Sequence, residues 1–310
     1  MPADFQQLEW DATLEDDLRQ LIRLAVREDL GRQNDWTTVA LVDPEQQGRA
    51  NIVAREAGVA AGLRAIPVII EEMQTAITCD FYAEDGDRVA AGSMLAELSG
   101  SARDLLTCER LLLNFIGRLS GIATLSRTFV EQLAGTNARI YDTRKTTPGW
   151  RRLEKYAVRC GGGRNHRTGL FDAILIKDNH LAMTGAQNLT PADAVRRIRQ
   201  FVRDAVSEGL TSSMLVEIEV DSLNQFDEVL AAHPDIVLLD NMRLDELRQA
   251  VTERNALAPE IELEASGGVT LETVRQIALT GVDRISAGSL THAACSLDVA
   301  LDWSLSHGSD

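Results

Sequence analysis

Hydrophobic and polar positions follow two different periods in the first third of the chain. Apolar residues from Leu14 to Val26 recur at three- and four-residue intervals, which predicts an amphipathic helix that ends at Gly31. GRANIVAREAGVAAG and ITCDFYAEDGDRVAAGSMLAELSGS have the pattern of short strands broken by Gly and Asp-Gly turns, and GLRAIPVIIEEMQTA between them has the pattern of a helix. The pattern indicates an α+β sandwich module, with helices packed on an antiparallel sheet.

The later part of the chain alternates strand-like and helical segments. A long apolar-periodic helix, LTCERLLLNFIGRLSGIATLSRTFVEQL, comes first, with a break expected near Gly121. The predicted strands that follow are ARIYDT, AILIKD, MLVEIEVD, DIVLLD, IELEAS and DRISAG, and the helices between them include PADAVRRIRQFVRDAV, LNQFDEVLAA, LDELRQAVTERN and LETVRQIALTG. This βα alternation with apolar strands predicts a parallel sheet closed into a TIM-like α/β barrel.

These patterns divide the chain into two predicted domains. Residues 1–112 form the α+β sandwich domain, and residues 113–291 form the α/β barrel. A helix within residues 292–310 is expected to pack back on the first domain.

Composition and charge limit the kinds of molecule that the protein is expected to bind. The 310 residues carry a net charge of −16, which argues against nucleic acid or an anionic membrane as a partner, but not against a small anion in a local basic pocket. The four cysteines form no CxxC pair, the start of the chain has no apolar signal segment, and the longest apolar runs are too short for a bilayer. We therefore expect reduced thiols and a cytoplasmic location.

Polar residues follow each predicted strand of the barrel. Because active sites of parallel α/β barrels form at the carboxyl ends of the strands, these residues are candidates for a site. In chain order they are Arg144 and Lys145, then Lys177 and His180, then Glu219, Asp240, the group Ser266, Gly267 and Gly268, and finally Gly288.

Two carboxylates, Glu219 and Asp240, end neighbouring predicted strands. Hard oxygen ligands of this kind suit Mg²⁺ shared with substrate phosphates, so both are candidate metal ligands. Glu217 points to the same side as Glu219 and belongs to the same candidate cluster. The alternative is that these carboxylates pair with nearby lysines and arginines.

Glycine-containing turns follow the last two predicted strands, in SGGVTLETV and SAGSLTH. Such loops let backbone N–H groups approach a phosphate, and phosphate-binding barrels place their site here. Ordinary βα turns with helix caps are the alternative. GGGRNHRTG is not a Walker A loop, since no GK[ST] follows the glycines.

Cations concentrate between residues 139 and 177. A solvated basic face accounts for Arg151, Arg152 and Lys155, and Arg164 is also assigned to solvent. Arg144, Lys145, Arg167 and Lys177 instead flank predicted buried strands and suit carboxylate or phosphate binding. His166 and His180 lie inside this constellation, so ligand contact is favoured over a purely structural role.

Long motifs in the chain closely resemble the quinolinate phosphoribosyltransferase family. They are ERLLLNFIGRLSGIAT, DTRKTTPGWRRLEKYAVRCGGGRNHRTGLFDAILIKDNH, VEIEVDSL, LLDNM, EASGGVT, SAGSLTH and, near the start, VREDLGRQNDWTT. The resemblance covers most of the chain. It implies an enzyme that joins quinolinate to phosphoribosyl pyrophosphate with Mg²⁺ and yields nicotinate mononucleotide, pyrophosphate and CO₂, in de novo NAD synthesis.

The resemblance also implies a role for each candidate residue. Arg144, His166, Arg167 and Lys177 would hold the quinolinate carboxylates, and Arg110 would reach in from the neighbouring subunit of a homodimer or larger homo-oligomer. Lys145 and His180 would serve the pyrophosphate, Glu219 and Asp240 would face the ribose and Mg²⁺, and Ser266, Gly267, Gly268 and Gly288 would cradle the 5-phosphate.

Three alternatives stay open from the sequence. A related phosphoribosyltransferase that acts on a monocarboxylate such as nicotinate would need fewer cations. A molybdenum-transport-associated paralogue of the family is disfavoured by the intact TRKT and NHR motifs. A barrel that binds a phosphometabolite without turnover is disfavoured by the presence of Lys145, Glu219 and Asp240.

Overall fold

The computed structural model describes residues 4–184, 189–209 and 214–303, and it divides into two compact units. One unit contains residues 8–127, 146–162 and the described residues from Leu290 onward. The other contains residues 4–7, 128–145 and the described part of 163–289. The domain boundary predicted between residues 112 and 113 stays a prediction, and this point lies inside a continuous helix, Ala102–Gln132.

The first unit is built on an antiparallel sheet. Its sheet order is β12-β1-β5-β3, and a two-stranded ribbon pairs β2 with β4. The strands are β1 (Gln47–Ala54), β2 (Gly58–Val59), β3 (Thr78–Phe81), β4 (Arg88–Val89), β5 (Met94–Ser101) and β12 (Val299–Trp303), and the helices are α1 (Ala12–Leu30), α2 (Trp36–Leu41), α3 (Ala65–Glu72), α4 (Ala102–Gln132), which continues into the second unit, and α5 (Arg151–Cys160). The predicted first helix and its end at Gly31 are confirmed, with Gly31 at a positive φ of 58°.

The helix predicted within residues 292–310 is wrong for the described part of that segment. Val299–Trp303 is a strand, and it pairs antiparallel with β1 from Ala54↔Val299 to Ala50↔Trp303. The physical reason is the alternation in VALDW, in which Val299, Leu301 and Trp303 share one face of an extended chain. Residues 304–310 of the predicted helix lie outside the described residues.

Helix α4 passes through Gly121 without the predicted break. A Cβ at Gly121 would lie 1.9 Å from the carbonyl oxygen of Cys295, closer than any real contact. The glycine therefore allows backbone to approach the helix, and it does not end the helix.

The second unit is built on a six-stranded parallel sheet of order β6-β11-β10-β9-β8-β7. Its strands are β6 (Arg139–Tyr141), β7 (Ile174–Ile176), β8 (Val216–Val220), β9 (Ile236–Asp240), β10 (Glu262–Ser266) and β11 (Arg284–Ser286), and its helices are α6 (Asp178–Ala182), α7 (Pro191–Ser207), α8 (Leu223–Leu230), α9 (Leu244–Leu257), α10 (Leu271–Ala278) and the short α11 (Ser289–His292), which ends in the first unit. All six predicted barrel strands are present, in the βα succession of a TIM-like α/β barrel.

Side chains two residues apart along one strand share a face of this sheet. On β10 these are Glu262, Glu264 and Ser266, in order from the amino end to the carboxyl end of the strand. Strand β10 therefore carries the carboxyl group of Glu262 at its amino end, that of Glu264 in its middle and the hydroxyl of Ser266 at its carboxyl end.

Candidate active site

A cavity of about 590 Å³ lies within the second unit at the carboxyl ends of the parallel strands. Volumes in this range suit a small-molecule site. Its lining includes the predicted residues Arg144, Lys145, His166, Arg167, Lys177, Glu219, Asp240, Ser266, Gly267, Gly268 and Gly288. The strand-end arrangement predicted from the sequence thus brings these eleven positions around one space.

Two predicted residues do not line this cavity. Arg110 is an exposed residue of α4 in the first unit, where it lines a groove of about 600 Å³ with Asn114, Arg118 and Trp150. His180 lines a neighbouring cavity of the second unit, and its Nδ1 accepts a hydrogen bond of 2.9 Å from the backbone N–H of Lys177. The predicted roles of both residues stay predictions.

The two carboxylates at the strand ends have different partners. Glu219 forms an ion pair with Lys177 through Oε2, which is the pairing considered as the alternative to metal binding. Asp240 accepts a hydrogen bond of 2.8 Å through Oδ2 from the side-chain amide of Asn241. Both carboxylates line the cavity, and carboxylate oxygens facing a space for phosphates are the ligand chemistry of Mg²⁺.

The loop after β10 is shaped by a close approach of two residues. Gly267 has a φ of 96°, and a Cβ there would lie 2.2 Å from Oδ1 of Asn241. Gly268 has a φ of 58° with open space where its Cβ would be. The pair thus requires glycine for backbone conformation and leaves Gly268 open to a ligand.

Arg167 is a buried cation at the cavity wall. Its Nη1 donates to the carbonyl oxygen of Ala173 at 3.3 Å. Burial lowers the pKa of the Arg167 guanidinium, and the positive charge of Arg144 lowers it further. A cation in this electrostatic environment gains stability when an anion enters the cavity.

A buried trio of titratable side chains includes two residues that line the cavity, His166 and Glu264. His166 Nε2 lies 3.1 Å from Oε2 of Glu217 and 3.5 Å from Oε1 of Glu264, and both carboxyl groups are fully buried. Burial raises the pKa of each carboxyl to about 7, and for Glu264 the charge of Glu217 adds to the effect. These carboxyls therefore take up protons far more readily than surface glutamates.

His166 also holds its neighbour in the loop. Its Nδ1 accepts a hydrogen bond of 2.8 Å from the backbone N–H of Arg167. His166 also lines the cavity, and its predicted contact with the substrate stays a prediction. Its ring orients the backbone that carries Arg167.

Two charged residues between residues 139 and 177, Asp142 and Arg164, have structural partners. The buried carboxylate of Asp142 accepts from the side-chain amide of Asn165 at 2.7 Å and from the backbone N–H of His166 at 2.9 Å. Arg164, which we assigned to solvent, has a side chain that is 41% exposed, and it also donates to Asp4 at 2.9 Å. The contact with Asp4 was not predicted, because the sequence gives no hint that residue 4 returns to this loop.

Sequence reasoning missed two lining residues that hold the site together. Asn241 directly follows DIVLLD in the sequence, but its contacts to Asp240 and the glycine loop were not foreseen. Glu264 was not singled out, although its place two residues before Ser266 would have predicted an inward side chain.

Comparison with known proteins gives consistent findings. The model of the quinolinate phosphoribosyl transferase C-terminal domain matches residues 122–302, and that of the N-terminal domain matches residues 35–120. A nicotinate-nucleotide pyrophosphorylase (carboxylating) from Mycobacterium leprae is 42% identical over 292 residues, which cover 93% of this chain and 97% of the relative. A chloroplastic protein of the same name from Arabidopsis thaliana is 38% identical over 298 residues, covering 92% and 82%.

Solved structures show the same likeness. The structure of a nicotinate-nucleotide pyrophosphorylase from Francisella tularensis matches with a TM-score of 0.85 and 34% identity, covering 97% of this chain and 100% of that one. This match confirms the predicted fold class, a TIM-like α/β barrel with an N-terminal α+β sandwich domain.

Proposed function

The chain belongs to the quinolinate phosphoribosyltransferase family, and we propose that the cavity at the carboxyl ends of its parallel strands is the active site. The enzyme transfers the phosphoribosyl group of phosphoribosyl pyrophosphate to quinolinate with decarboxylation, in de novo NAD biosynthesis. One observation carries the placement of the site: four cations, two strand-end carboxylates and two glycine loops line a single cavity.

Quinolinate is a pyridine with two adjacent carboxylates, and we propose that Arg144, Arg167 and Lys177 bind them. The planar guanidinium groups suit bidentate carboxylate binding. Burial and the nearby Arg144 both lower the pKa of Arg167, and a dicarboxylate would stabilise its positive charge. We propose that His166 contributes beside them by holding the Arg167 backbone.

The glycine loops after β10 and β11 suit phosphoribosyl pyrophosphate. We propose that Ser266, Gly267, Gly268 and Gly288 surround the 5-phosphate, and that Lys145 and His180 serve the pyrophosphate. Backbone N–H groups at glycine loops are common phosphate ligands. His180 lines the adjacent cavity, so its role requires a pyrophosphate that extends toward α6.

We propose Mg²⁺ as the cofactor, with Glu219 and Asp240 as the residues that would hold it. Their position at the cavity, and the second oxygen that each carboxylate has beyond its protein partner, fit a metal shared with the substrate. When bound, Mg²⁺ would neutralise charge on the pyrophosphate leaving group.

The chemistry requires positioning and charge stabilisation from the protein. The ring nitrogen of quinolinate attacks C1 of the ribose as the C1–O bond to pyrophosphate breaks, through an oxocarbenium-like state. Glu219 and Asp240 stabilise that positive charge, and Lys145 stabilises the departing anion. The bond to the 2-carboxylate then breaks, its electron pair moves toward the pyridinium nitrogen, CO₂ leaves, and a proton takes its place on carbon. No general base is needed for the attack, because the nitrogen carries no proton.

We propose that the enzyme is a homodimer or a larger homo-oligomer in which Arg110 completes the site of a neighbouring subunit. The support is that Arg110 is exposed, lies in a groove of the first unit with Asn114 and Arg118, and is not among the residues that line the cavity. A fourth guanidinium or ammonium group near a dicarboxylate would strengthen its binding.

We also propose a reducing compartment such as the cytoplasm, because all four cysteines are free thiols. In the described part of the chain, no helix combines the length and the apolar character needed to cross a bilayer.

Product analysis tests the proposed reaction at this site. Purified enzyme with phosphoribosyl pyrophosphate and Mg²⁺ should release CO₂ and pyrophosphate from quinolinate in a 1:1 ratio, and chelation of the metal should abolish both. Replacement of the two proposed ligands, Glu219→Gln and Asp240→Asn, should each lower kcat at least about 100-fold. Full activity in both variants would place the chemistry elsewhere.

Hybrid oligomers test the shared site. Arg110→Ala and Arg167→Ala should each be nearly inactive alone, and mixing them should restore part of the activity, because a hybrid dimer has one site with both arginines. Subunit exchange is verified with differently tagged chains. Verified exchange without recovery would contradict an action of Arg110 across the interface.

A further inference from the structure

Residues 4–7 contact the substrate-binding loop at residues 164–167, here called the 164–167 loop. The sequence places the two segments about 160 residues apart, but both belong to the second compact unit. Three side chains of residues 4–7 each meet a different loop residue: Asp4 meets Arg164, Gln7 meets Asn165 and Phe5 meets His166. The contacts follow the loop residue by residue.

Gln7 binds the backbone of the 164–167 loop through both ends of its amide. Its Oε1 accepts from the N–H of Asn165 at 2.9 Å, and its Nε2 donates to the carbonyl oxygen of Asn165 at 3.0 Å. The side chain thus makes the two hydrogen bonds that a neighbouring strand would make. It fixes the loop backbone one residue before His166.

Phe5 fixes the ring of His166. The two rings stack with centroids 4.2 Å apart and an interplanar angle of 27°. Phe5 is 3% exposed, and the guanidinium of the fully buried Arg284 lies 5.3 Å from its centroid. The aromatic ring is therefore held in place by charge and packing from the sheet beneath it.

Asp4 anchors the segment to two strands of the parallel sheet. Its carboxylate accepts from Tyr141 at 3.1 Å, from Arg164 at 2.9 Å and forms an ion pair of 3.0 Å with Arg284. These partners come from β6, the loop and β11. The segment thus joins the loop to the sheet.

The other side of the loop is held by β6 and by Asp142. Arg164 forms a parallel bridge with Tyr141, and Asp142 accepts from Asn165 and His166. The loop is therefore held on one side by residues 4–7 and on the other by β6 and Asp142. The position of His166 in turn fixes the backbone of Arg167, because the N–H of Arg167 donates to Nδ1 of His166.

We propose that Asp4, Phe5 and Gln7 are positioning residues of the active site, which set the 164–167 loop so that Arg167 meets the carboxylates of quinolinate. Gln7 and Phe5 act through the loop and not on the substrate. The inference rests on the proposed role of Arg167 as a quinolinate ligand. It assigns a catalytic consequence to a part of the chain that lies outside the cavity.

Neighbouring glutamines give a matched pair of variants in the full-length enzyme. Gln7→Ala removes both hydrogen bonds to Asn165, whereas Gln6→Ala changes an exposed residue of the same type. We expect Gln7→Ala to raise KM for quinolinate roughly tenfold, with KM for phosphoribosyl pyrophosphate within about twofold of wild type. Gln6→Ala should leave both KM values within about twofold.

A second variant keeps the proposal testable if Gln7→Ala does not fold. Phe5→Leu keeps an apolar side chain in the buried position but lacks the flat face that stacks on His166, and it should give the same selective rise in KM for quinolinate. A purely structural role would lower the melting temperature without separating the two KM values. Equal changes in both KM values, or none in either variant, would overturn the proposal.

Arg167→Ala separates this proposal from the assignment of the site. If Arg167→Ala leaves KM for quinolinate unchanged, the assignment of the site fails and the proposal fails with it. If Arg167→Ala raises KM for quinolinate strongly while Gln7→Ala and Phe5→Leu do not, only the positioning role is contradicted.

Discussion

The two ends of the parallel sheet use the same kinds of charged residue in opposite ways. At the amino ends, Arg284 forms ion pairs with Glu262 and Asp4, and Arg139 contacts the same two carboxylates. At the carboxyl ends, cations converge on an open cavity. The comparison indicates that arginines held by the protein's own carboxylates serve structure, whereas arginines gathered around a space serve a ligand.

Arg284 and Arg167 make the contrast concrete, because both are buried. Arg284 bonds to the carboxylate of Glu262 and stacks on Tyr141, with its Cζ 4.7 Å from the ring centroid. Arg167 donates to a neutral carbonyl, and burial, together with the positive charge of Arg144, lowers its pKa. The residue type is the same, but Arg284 begins β11 among carboxylates, whereas Arg167 lies in the 164–167 loop at the cavity.

Of the variants considered, Arg284→Met should have the largest effect, and this effect is on the stability of the fold. It removes the fully buried cation that pairs with Glu262 and Asp4 and leaves them the partly exposed Arg139, so we expect the free energy of unfolding to fall by about 3 kcal/mol. Urea unfolding measures the loss. Arg196→Met is the control, because Arg196 pairs with Asp193 in an exposed position and such pairs contribute about 1 kcal/mol or less. Equal losses in the two variants would break the comparison.

Between the two ends, Glu264→Gln should change the pH dependence of stability. The pKa of Glu264 is about 7 in the folded protein against an ordinary 4.5, so the folded state binds more protons between these values. Stability from this group is complete below pH 4.5 and is lost as pH rises through 7. In wild type this loss of folding stability is about 3 kcal/mol at most. The charged groups that face Glu264 are Glu217, His166 and Arg284.

Thermal melts at pH 5 and pH 8 measure this effect. Glu264→Gln should flatten the decline between the two pH values, since glutamine does not titrate. Glu45→Gln, an exposed substitution of the same kind, should keep the wild-type decline. A decline in Glu264→Gln as steep as in wild type would show that this carboxyl is not the buried acid described here.

The sequence was sufficient to predict which residues lie at the carboxyl ends of the parallel strands. Apolar, β-branched runs predicted all six parallel strands, and the residue after each run indicated the cavity, because the carboxyl ends of parallel strands share one edge. Lys177, Glu219 and Asp240 were predicted in this way. Strand ends are local features, so local pattern was enough.

Features that depend on distant contacts were not predictable in this way. The partner of Arg164 is residue 4, and Gly121 is required by the backbone at Cys295. Lys155 was assigned to a solvated face and is fully buried, because its helix is covered on more sides than its period suggested. Long-range packing decides each case, and a single sequence does not record it.

The most direct test of the central claim is how well the enzyme distinguishes quinolinate from nicotinate, which lacks the second carboxylate. Wild type should prefer quinolinate by more than about 100-fold in kcat/KM, since a site built for a charged group rejects a substrate without it. Arg167→Ala should reduce this preference by about 100-fold, or about 2.7 kcal/mol, and the exposed control Arg203→Ala should not. An unchanged preference in Arg167→Ala, or a wild-type enzyme that uses nicotinate equally well, would contradict the account.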